Sequence, residues 1–257
     1  MKPFTTSLLI TTYNSPDLLD LCLRSVATLS EMPDEILIAD DGSGEPTAEV
    51  VRHYAAMLPV KVKHVWQEDE GFRAGASRNK AIAASECDYI IQIDGDIVMH
   101  PDFIADHKRF ARRGAFVAGS RKLLTKEATD ALKRNPDLKR LFKSAPLRCY
   151  ALTLLFRNLR ASDGTYARSC NMAAWRDDLM AVNGYNEEIS GWGREDSELS
   201  WRLMNFGLKK RFLKFGAIEF HLYHHENSRE MDARNFAIME RARTQGVTRV
   251  PCGIVKE

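Results

Sequence analysis

Apolar positions in the first half of the chain come in short runs separated by polar clusters. Ser7-Leu8-Leu9-Ile10-Thr11, Glu35-Ile36-Leu37-Ile38-Ala39 and Tyr89-Ile90-Ile91-Gln92-Ile93 have the length and β-branched content of buried strands. Val60 to Val65 alternates apolar with polar, as a half-exposed strand does. Between the first two runs, Ser15-Pro16 offers an N-cap and a proline at the first helical position. Leu18, Cys22, Val26 and Leu29 follow at helical spacing, which predicts a helix from Pro16 to about Leu29. Further helices are predicted from about Pro46 to Met57 and from Gly75 to about Ala84. Strand, helix, strand, helix at this spacing predicts an α/β fold with a mostly parallel sheet and right-handed crossovers. Such sheets bind ligands at the carboxyl ends of their strands. Three polar clusters, 11–14, 40–43 and 94–96, fall at those ends and predict one site.

The second half is less regular. A helix over 101–112 and a strand over 115–119 precede a helical basic segment without one clean apolar face. Beyond it come 173–182, a loop from Gly184 to Gly193, and a helix from Glu195 to about Phe206 that Gly207 should end. A strand from Ala217 to Leu222 is left by Tyr223-His224-His225-Glu226-Asn227, and a polar helix near 232–244 leads to a loose tail. One domain over 1–257 is expected, with a nucleotide-binding half (1–120), a helical insertion (121–165) and an acceptor half (166–257).

Composition narrows the class. The chain has 257 residues, 44% hydrophobic and 28% charged, which suits a water-soluble core of substantial size. No apolar run approaches the roughly 20 residues of a spanning helix. The first residues lack the charged head and long apolar centre of a signal peptide. Five scattered cysteines without a C-x-x-C pair argue against a disulfide framework or zinc knuckle and for a reducing cytoplasm. A net charge of +2 does not suit a nucleic-acid binder, yet bases outnumber acids heavily between Arg121 and Arg160.

Asp94-Gly95-Asp96 holds the candidate chemistry. Two carboxylates around a glycine at the end of a buried strand give a hard cation oxygen ligands and let phosphates approach the backbone, although the same triplet also makes ordinary turns. Tyr13 offers a flat face for a uracil ring, and Asp40 and Asp41 offer acceptors for a base N–H or ribose hydroxyls. Arg78 could pair with diphosphate oxygens in a forked contact, or form a surface salt bridge. Glu195 and Asp196 open a helix behind a glycine-flanked Trp192, where acids also complement the helix dipole.

In their order along the chain, Thr11-Thr12-Tyr13-Asn14, Asp40-Asp41-Gly42-Ser43, Arg78-Asn79, Asp94-Gly95-Asp96 and Gly191-Trp192-Gly193-Arg194-Glu195-Asp196 resemble the family 2 glycosyltransferases of the GT-A fold. The C-terminal half resembles the β-1,4-galactosyltransferase and chondroitin-polymerase type. The resemblance runs from about Thr6 to His225 and implies an inverting, metal-dependent transfer from a UDP-sugar to a saccharide or lipid-linked saccharide, as in surface polysaccharide synthesis. It implies donor contacts at Thr11, Tyr13, Asn14, Asp40, Asp41, Arg73, Arg78, Asn79, Asp94, Asn171 and Trp192. Asp96 is implied as a direct ligand of Mn²⁺ or Mg²⁺, with His224 as the distant second ligand and His221 as its alternative. Asp196 is implied as the base that deprotonates the acceptor, Glu195 as a hydrogen-bonding partner of a sugar hydroxyl, and Trp192 as part of a mobile lid that stacks on a sugar.

The basic segment, with Leu132, Leu138, Leu141, Phe142, Leu154, Leu155 and Phe156 interleaved, could lie on an anionic membrane at the inner face of the plasma membrane, or pack its leucines on the core. A nucleotide-sugar-binding protein without transferase activity is the rival reading. A dinucleotide-dependent oxidoreductase lacks its G-x-G-x-x-G, since Thr12-Tyr13-Asn14-Ser15 follows the first strand. A nucleotidyltransferase lacks its glycine- and lysine-containing loop there.

Overall fold

The computed structural model describes residues 2–225 and 229–256. In chain order its elements are β1 (Thr6–Thr12), α1 (Pro16–Val26), β2 (Glu35–Asp40), α2 (Glu45–Met57), β3 (Lys61–Trp66), α3 (Ala74–Ala84), β4 (Tyr89–Asp94), β5 (Ile97–Met99), α4 (Phe103–Phe110) and β6 (Ala115–Gly119). They continue as β7 (Lys122–Leu123), α5 (Lys126–Arg134), α6 (Leu138–Phe142), α7 (Tyr150–Leu155), β8 (Met172–Trp175), α8 (Arg176–Ala181), α9 (Glu195–Asn205), β9 (Lys209–Leu213), β10 (Glu219–His221) and α10 (Asp232–Thr244).

Seven strands form the main sheet in the order β3-β2-β1-β4-β8-β6-β9, parallel except for β8, which runs against both its neighbours. Because side chains alternate along a strand, Leu8 and Ile10 pack on one face with Leu19, Cys22 and Val26 of α1. Leu9 and Leu37 pack on the other with Ala81 and Ile82 of α3 and Leu199 and Leu203 of α9. Both faces are covered, so the three central apolar runs are buried throughout. A second sheet, β5-β10-β7, closes over the end of β4.

Several expectations change. Helix α1 ends at Val26, three residues before Leu29, and Ser15 precedes it without a side-chain cap because its hydroxyl donates to Tyr13 O. The basic segment is three short helices, and Leu132 and Leu138 are buried against Leu18, Leu21, Val98 and Phe220. The tail is tied down: Asn183 Nδ2 donates to Val250 O at 2.8 Å and Val255 O at 2.7 Å, while Asn183 Oδ1 accepts from Val255 N at 2.8 Å. Gly253 is required there, since a Cβ would fall 1.9 Å from Asn183 O.

Candidate active site

Strand β4 delivers Asp94 to the carboxyl edge of the sheet, and the chain turns through Gly95 against the end of β1. Gly95 N donates to Thr11 O at 2.7 Å, and a Cβ on it would press to 3.2 Å from that oxygen and from the Thr12 side chain. Asp96 then precedes β5, whose antiparallel partner β10 sets His221 opposite Ile97. Leu222 N donates to Asp96 O at 2.9 Å, which brings the strand exit carrying His224 over the same carboxylate.

Asp96 Oδ2 lies 3.1 Å from His224 Nε2 and 3.7 Å from His221 Nε2. Ligand atoms of these three residues lie within 4.8 Å of one another, a grouping that no other His, Cys, Asp or Glu trio reaches among the described residues. Asp96 Oδ1 is buried without a hydrogen-bond partner, as a carboxylate shaped for a cation would leave it. One carboxylate and two imidazoles are a donor set for a first-row divalent ion, softer than the all-oxygen set that Mg²⁺ prefers. The Asp96 contact lifts His224 to about 9, while burial lowers His221.

Beside this trio, Arg78 of α3 is 4% exposed. Its Nε donates to Thr11 Oγ1 at 3.0 Å and its Nη2 to Asp94 Oδ1 at 2.9 Å, with Nη1 3.5 Å from Glu195 Oε1. The forked contact expected on a diphosphate is therefore directed at the protein's own carboxylates; only Nη1 is left without a hydrogen bond. Burial, joined by the Asp196 charge and opposed by Arg78, raises Glu195 to about 7. Asp196 Oδ1 is buried with no partner. Both acids sit in the first turn of α9, which the chain enters through Arg194 in the left-handed region at φ 77°.

The loop around Trp192 is hydrogen-bonded to α10. Asn235 Nδ2 of α10 donates to Ser190 O and Gly193 O, and the Arg194 guanidinium forks onto Asp232 at 2.7 and 3.0 Å. Trp192 itself is 37% exposed, with the Arg229 guanidinium 5.4 Å from its ring.

At the other end of the site Tyr13 is exposed, its hydroxyl donating to Asp69 Oδ2 at 2.8 Å. Asn14, at φ 42°, exchanges hydrogen bonds with Ser43 and Gly44 and so splices the ends of β1 and β2. Four further predicted contact residues are engaged inside the fold. Asp40 holds His64 Nε2 and Ser43 N, and Asp41 holds Gln67 Nε2 and Arg73 N. Asn79 bonds Tyr185 N and O and Glu187 Oε1. Asn171, expected to line a sugar pocket, is 1% exposed and bonds His107, Ser120 O and Ala217 O. The Arg73 side chain turns back on Glu68 O and Glu70.

Two neighbours escaped the sequence reading. Tyr185 lies under Arg78, 5.3 Å from ring centroid to guanidinium, and its hydroxyl donates to Gln92 Oε1. Arg121, exposed just after β6, is close enough to act on the charges of Glu219 and His221. Gly184-Tyr185 after a helix was a signal for the first; the basic run hid the second.

Residues 159–226 match the model described as the N-terminal domain of galactosyltransferase. Among curated relatives, a hyaluronan synthase of Pasteurella multocida is 26% identical over 78% of this chain and 23% of its own length. A validoxylamine A glucosyltransferase of Streptomyces hygroscopicus subsp. limoneus is 27% identical over 79% and 48%. A chondroitin synthase of Escherichia coli is 26% identical over 84% and 34%. The chain thus spans less than half the length of these relatives. In fold it is similar to S. aureus TarS 1-349, with a TM-score of 0.65 at 16% identity over 94% of this chain and 65% of that one. It is also similar to the Pyrobaculum calidifontis mannosyltransferase PcManGT in complex with GDP-Man and Mn2+, with a TM-score of 0.61 at 14% identity over 96% and 73%. These neighbours are GT-A glycosyltransferases, and residues 7–158 match the model of glycosyl transferase family 2, the family to which the chain belongs.

Proposed function

We propose that this chain is an inverting, metal-dependent transferase that moves a sugar from a UDP-sugar to a hydroxyl of a saccharide or lipid-linked saccharide. The observation that carries this reading is the meeting of Asp96, His221 and His224 beside Asp94, Glu195 and Asp196. TarS has also been solved with UDP and with UDP-GlcNAc. Asp96 and His224, with His221 as third donor, would hold a divalent ion, which would supply Lewis-acid stabilisation of the leaving diphosphate. Mn²⁺ suits the imidazoles better than Mg²⁺.

The chain's own residues do the rest. Tyr13 presents its open face to the base. Asp94, fixed by Arg78, accepts from ribose hydroxyls, and Asp40, Asp41, Asn79 and Asn171 position the loops around the donor from inside. Trp192 covers the sugar. Asp196 Oδ1, free of protein partners, takes the acceptor proton as the hydroxyl attacks the anomeric carbon from the face opposite the diphosphate. Glu195, raised to about 7 by burial and the Asp196 charge, hydrogen-bonds a sugar hydroxyl.

A panel of UDP-sugars with Mn²⁺, read by UDP release with and without acceptor, tests the reading. Asp96→Ala should abolish release, and Asp196→Asn should bind donor but lose transfer. Full transfer by Asp196→Asn would overturn the base assignment, and donor binding without turnover by wild type would favour the binding-protein alternative.

A further inference from the structure

The apolar residues of the basic segment divide into two groups. Leu132 and Leu138, with Leu141 and Phe142 beside them, pack into the core. Downstream the opposite holds: Leu147 is 63% exposed, Leu155 71%, Phe156 38% and Leu159 37%. Leu147 and Leu159 wall a groove of about 270 Å³ together with Tyr166, Phe212 and Phe215, and Phe156 packs beside it with its ring 5.5 Å from that of Phe215. Ser120 and Lys214, which directly follow β6 and β9, also line it. Those strands run parallel to each other and, across β8, to β4, so the groove lies on the same carboxyl edge of the sheet as Asp94.

Cations stand between the apolar groups. Arg160 and Arg168 stack over Tyr166 at 3.8 and 5.0 Å, and Lys214 lies 5.4 Å from the Phe215 ring and 5.8 Å from that of Phe156. Arg157 caps the end of α7 through Leu154 O. All four are exposed, and none makes an ion pair among the described residues. Between Lys143 and Arg168 the sequence has one acid, Asp163, whose carboxylate bonds Thr165.

We propose that this face, formed by α7, the 156–168 loop and the ends of β6 and β9, docks on an anionic phospholipid surface. Exposed leucine and phenylalanine enter the boundary of headgroups and acyl chains, while arginines and a lysine meet the phosphates; neither set suffices alone, and together they bind reversibly. A polyanion such as nucleic acid would use the cations but leave Leu155 in water. Docked this way, the edge that carries Asp94 and Asp96 borders the bilayer, where a lipid-linked acceptor resides. That last step rests on the transferase reading; the docking does not.

The test is flotation of the full chain, without donor or metal, on phosphatidylcholine vesicles with and without about one-third phosphatidylglycerol. The chain should float with the anionic vesicles only and be released several-fold by roughly half-molar salt. The pair Leu155→Gln/Phe156→Gln and the pair Arg157→Gln/Lys214→Gln should each reduce binding by roughly tenfold. Lys126→Gln/Lys139→Gln, an equal loss of charge on α5 and α6, should leave it unchanged, and all three should melt like wild type. No binding to anionic vesicles, equal loss in the control pair, or binding carried by charge alone with Leu155 and Phe156 dispensable would overturn the proposal. Transfer to a short soluble acceptor should be unaffected by both test pairs, so a failure of the transferase reading is seen separately.

Discussion

Arg78 Nη2 lies 2.9 Å from Asp94 Oδ1, and the same guanidinium lies 3.5 Å from Glu195 Oε1. A single buried cation therefore holds the carboxylate that ends β4 and the one that opens α9. Replacing it with glutamine leaves two acids facing each other with less compensation. Arg78→Gln should lose about 2–4 kcal/mol of stability, chiefly because Asp94 is left without its buried counter-charge, and the further change Glu195→Gln should recover only a small part, in denaturant titrations at neutral pH. Donor turnover should not recover, because Asp94 loses its orienting partner.

Glu195 gives a pH signature. A carboxyl held near 7 in the folded protein against 4.5 in the unfolded chain binds its proton more tightly when folded. Its contribution to stability is thus fully present below about pH 4.5 and is lost as pH rises through 7. Glu195→Gln should gain on wild type by about 2–3 kcal/mol between pH 4.5 and pH 8. If Asp196 is the base, Glu195→Gln should keep measurable transfer and lose an inflection near pH 7 in kcat/KM, whereas Asp196→Asn should lose transfer at every pH.

Glu35 works in the other direction. Burial alone would raise its pKa, but Ser7 Oγ at 2.6 Å, Lys63 Nζ at 2.9 Å, Glu86 N and Ser85 Oγ hold it at about 2. The stability this network adds is present above the ordinary carboxylate pKa and is lost as pH falls from about 4.5 to 2. It amounts to about 3 kcal/mol at neutral pH. Glu35→Gln should flatten the acid limb of the stability curve between those two values, as measured by urea midpoints.

Metal binding can be read without catalysis. Mn²⁺ at a hundred times its dissociation constant should stabilise the chain by about 2.7 kcal/mol. Asp96→Ala and His224→Ala should each abolish the rise in melting temperature, and His221→Asn should weaken it. A Mn²⁺-dependent shift that survives Asp96→Ala would place the ion elsewhere.

Asn183, itself at φ 65°, gathers the tail through its amide. Asn183→Ala should cost about 2–4 kcal/mol, because one buried and two part-buried hydrogen bonds go at once. Gly253→Ala should cost at least as much, since its Cβ would meet Asn183 O. Thermal melts of the two variants check both.

The sequence made the first half of the sheet legible because β1, β2 and β4 are covered on both faces and so read as unbroken apolar runs. Strand β9 did not announce itself: Lys209-Lys210-Arg211 looks like surface, yet Lys210 is 2% exposed and its ammonium is satisfied by the carbonyls of Asp163 and Tyr166. Strand β8 is four residues between a tight turn and a helix, too short to show a period. The meeting of Asp96 with His221 at the end of β10 and His224 beyond it was legible from motif order. The inward orientation of Asp40, Asn79 and Asn171 was not, because a polar residue near a strand end has the same spelling whether it faces a ligand or a backbone carbonyl.

The antiparallel β8 has a consequence for how the chain can be divided. It contributes residues 172–175 to the middle of a sheet whose other members on either side, β4 and β6, precede it by more than fifty positions. A fragment ending before residue 172 would leave β4 as a bare edge and β6 with no partner, a template for self-association. The first half therefore cannot complete its fold during synthesis until the second half has emerged. Gene fusions that borrow its nucleotide-binding motifs have to carry the whole unit.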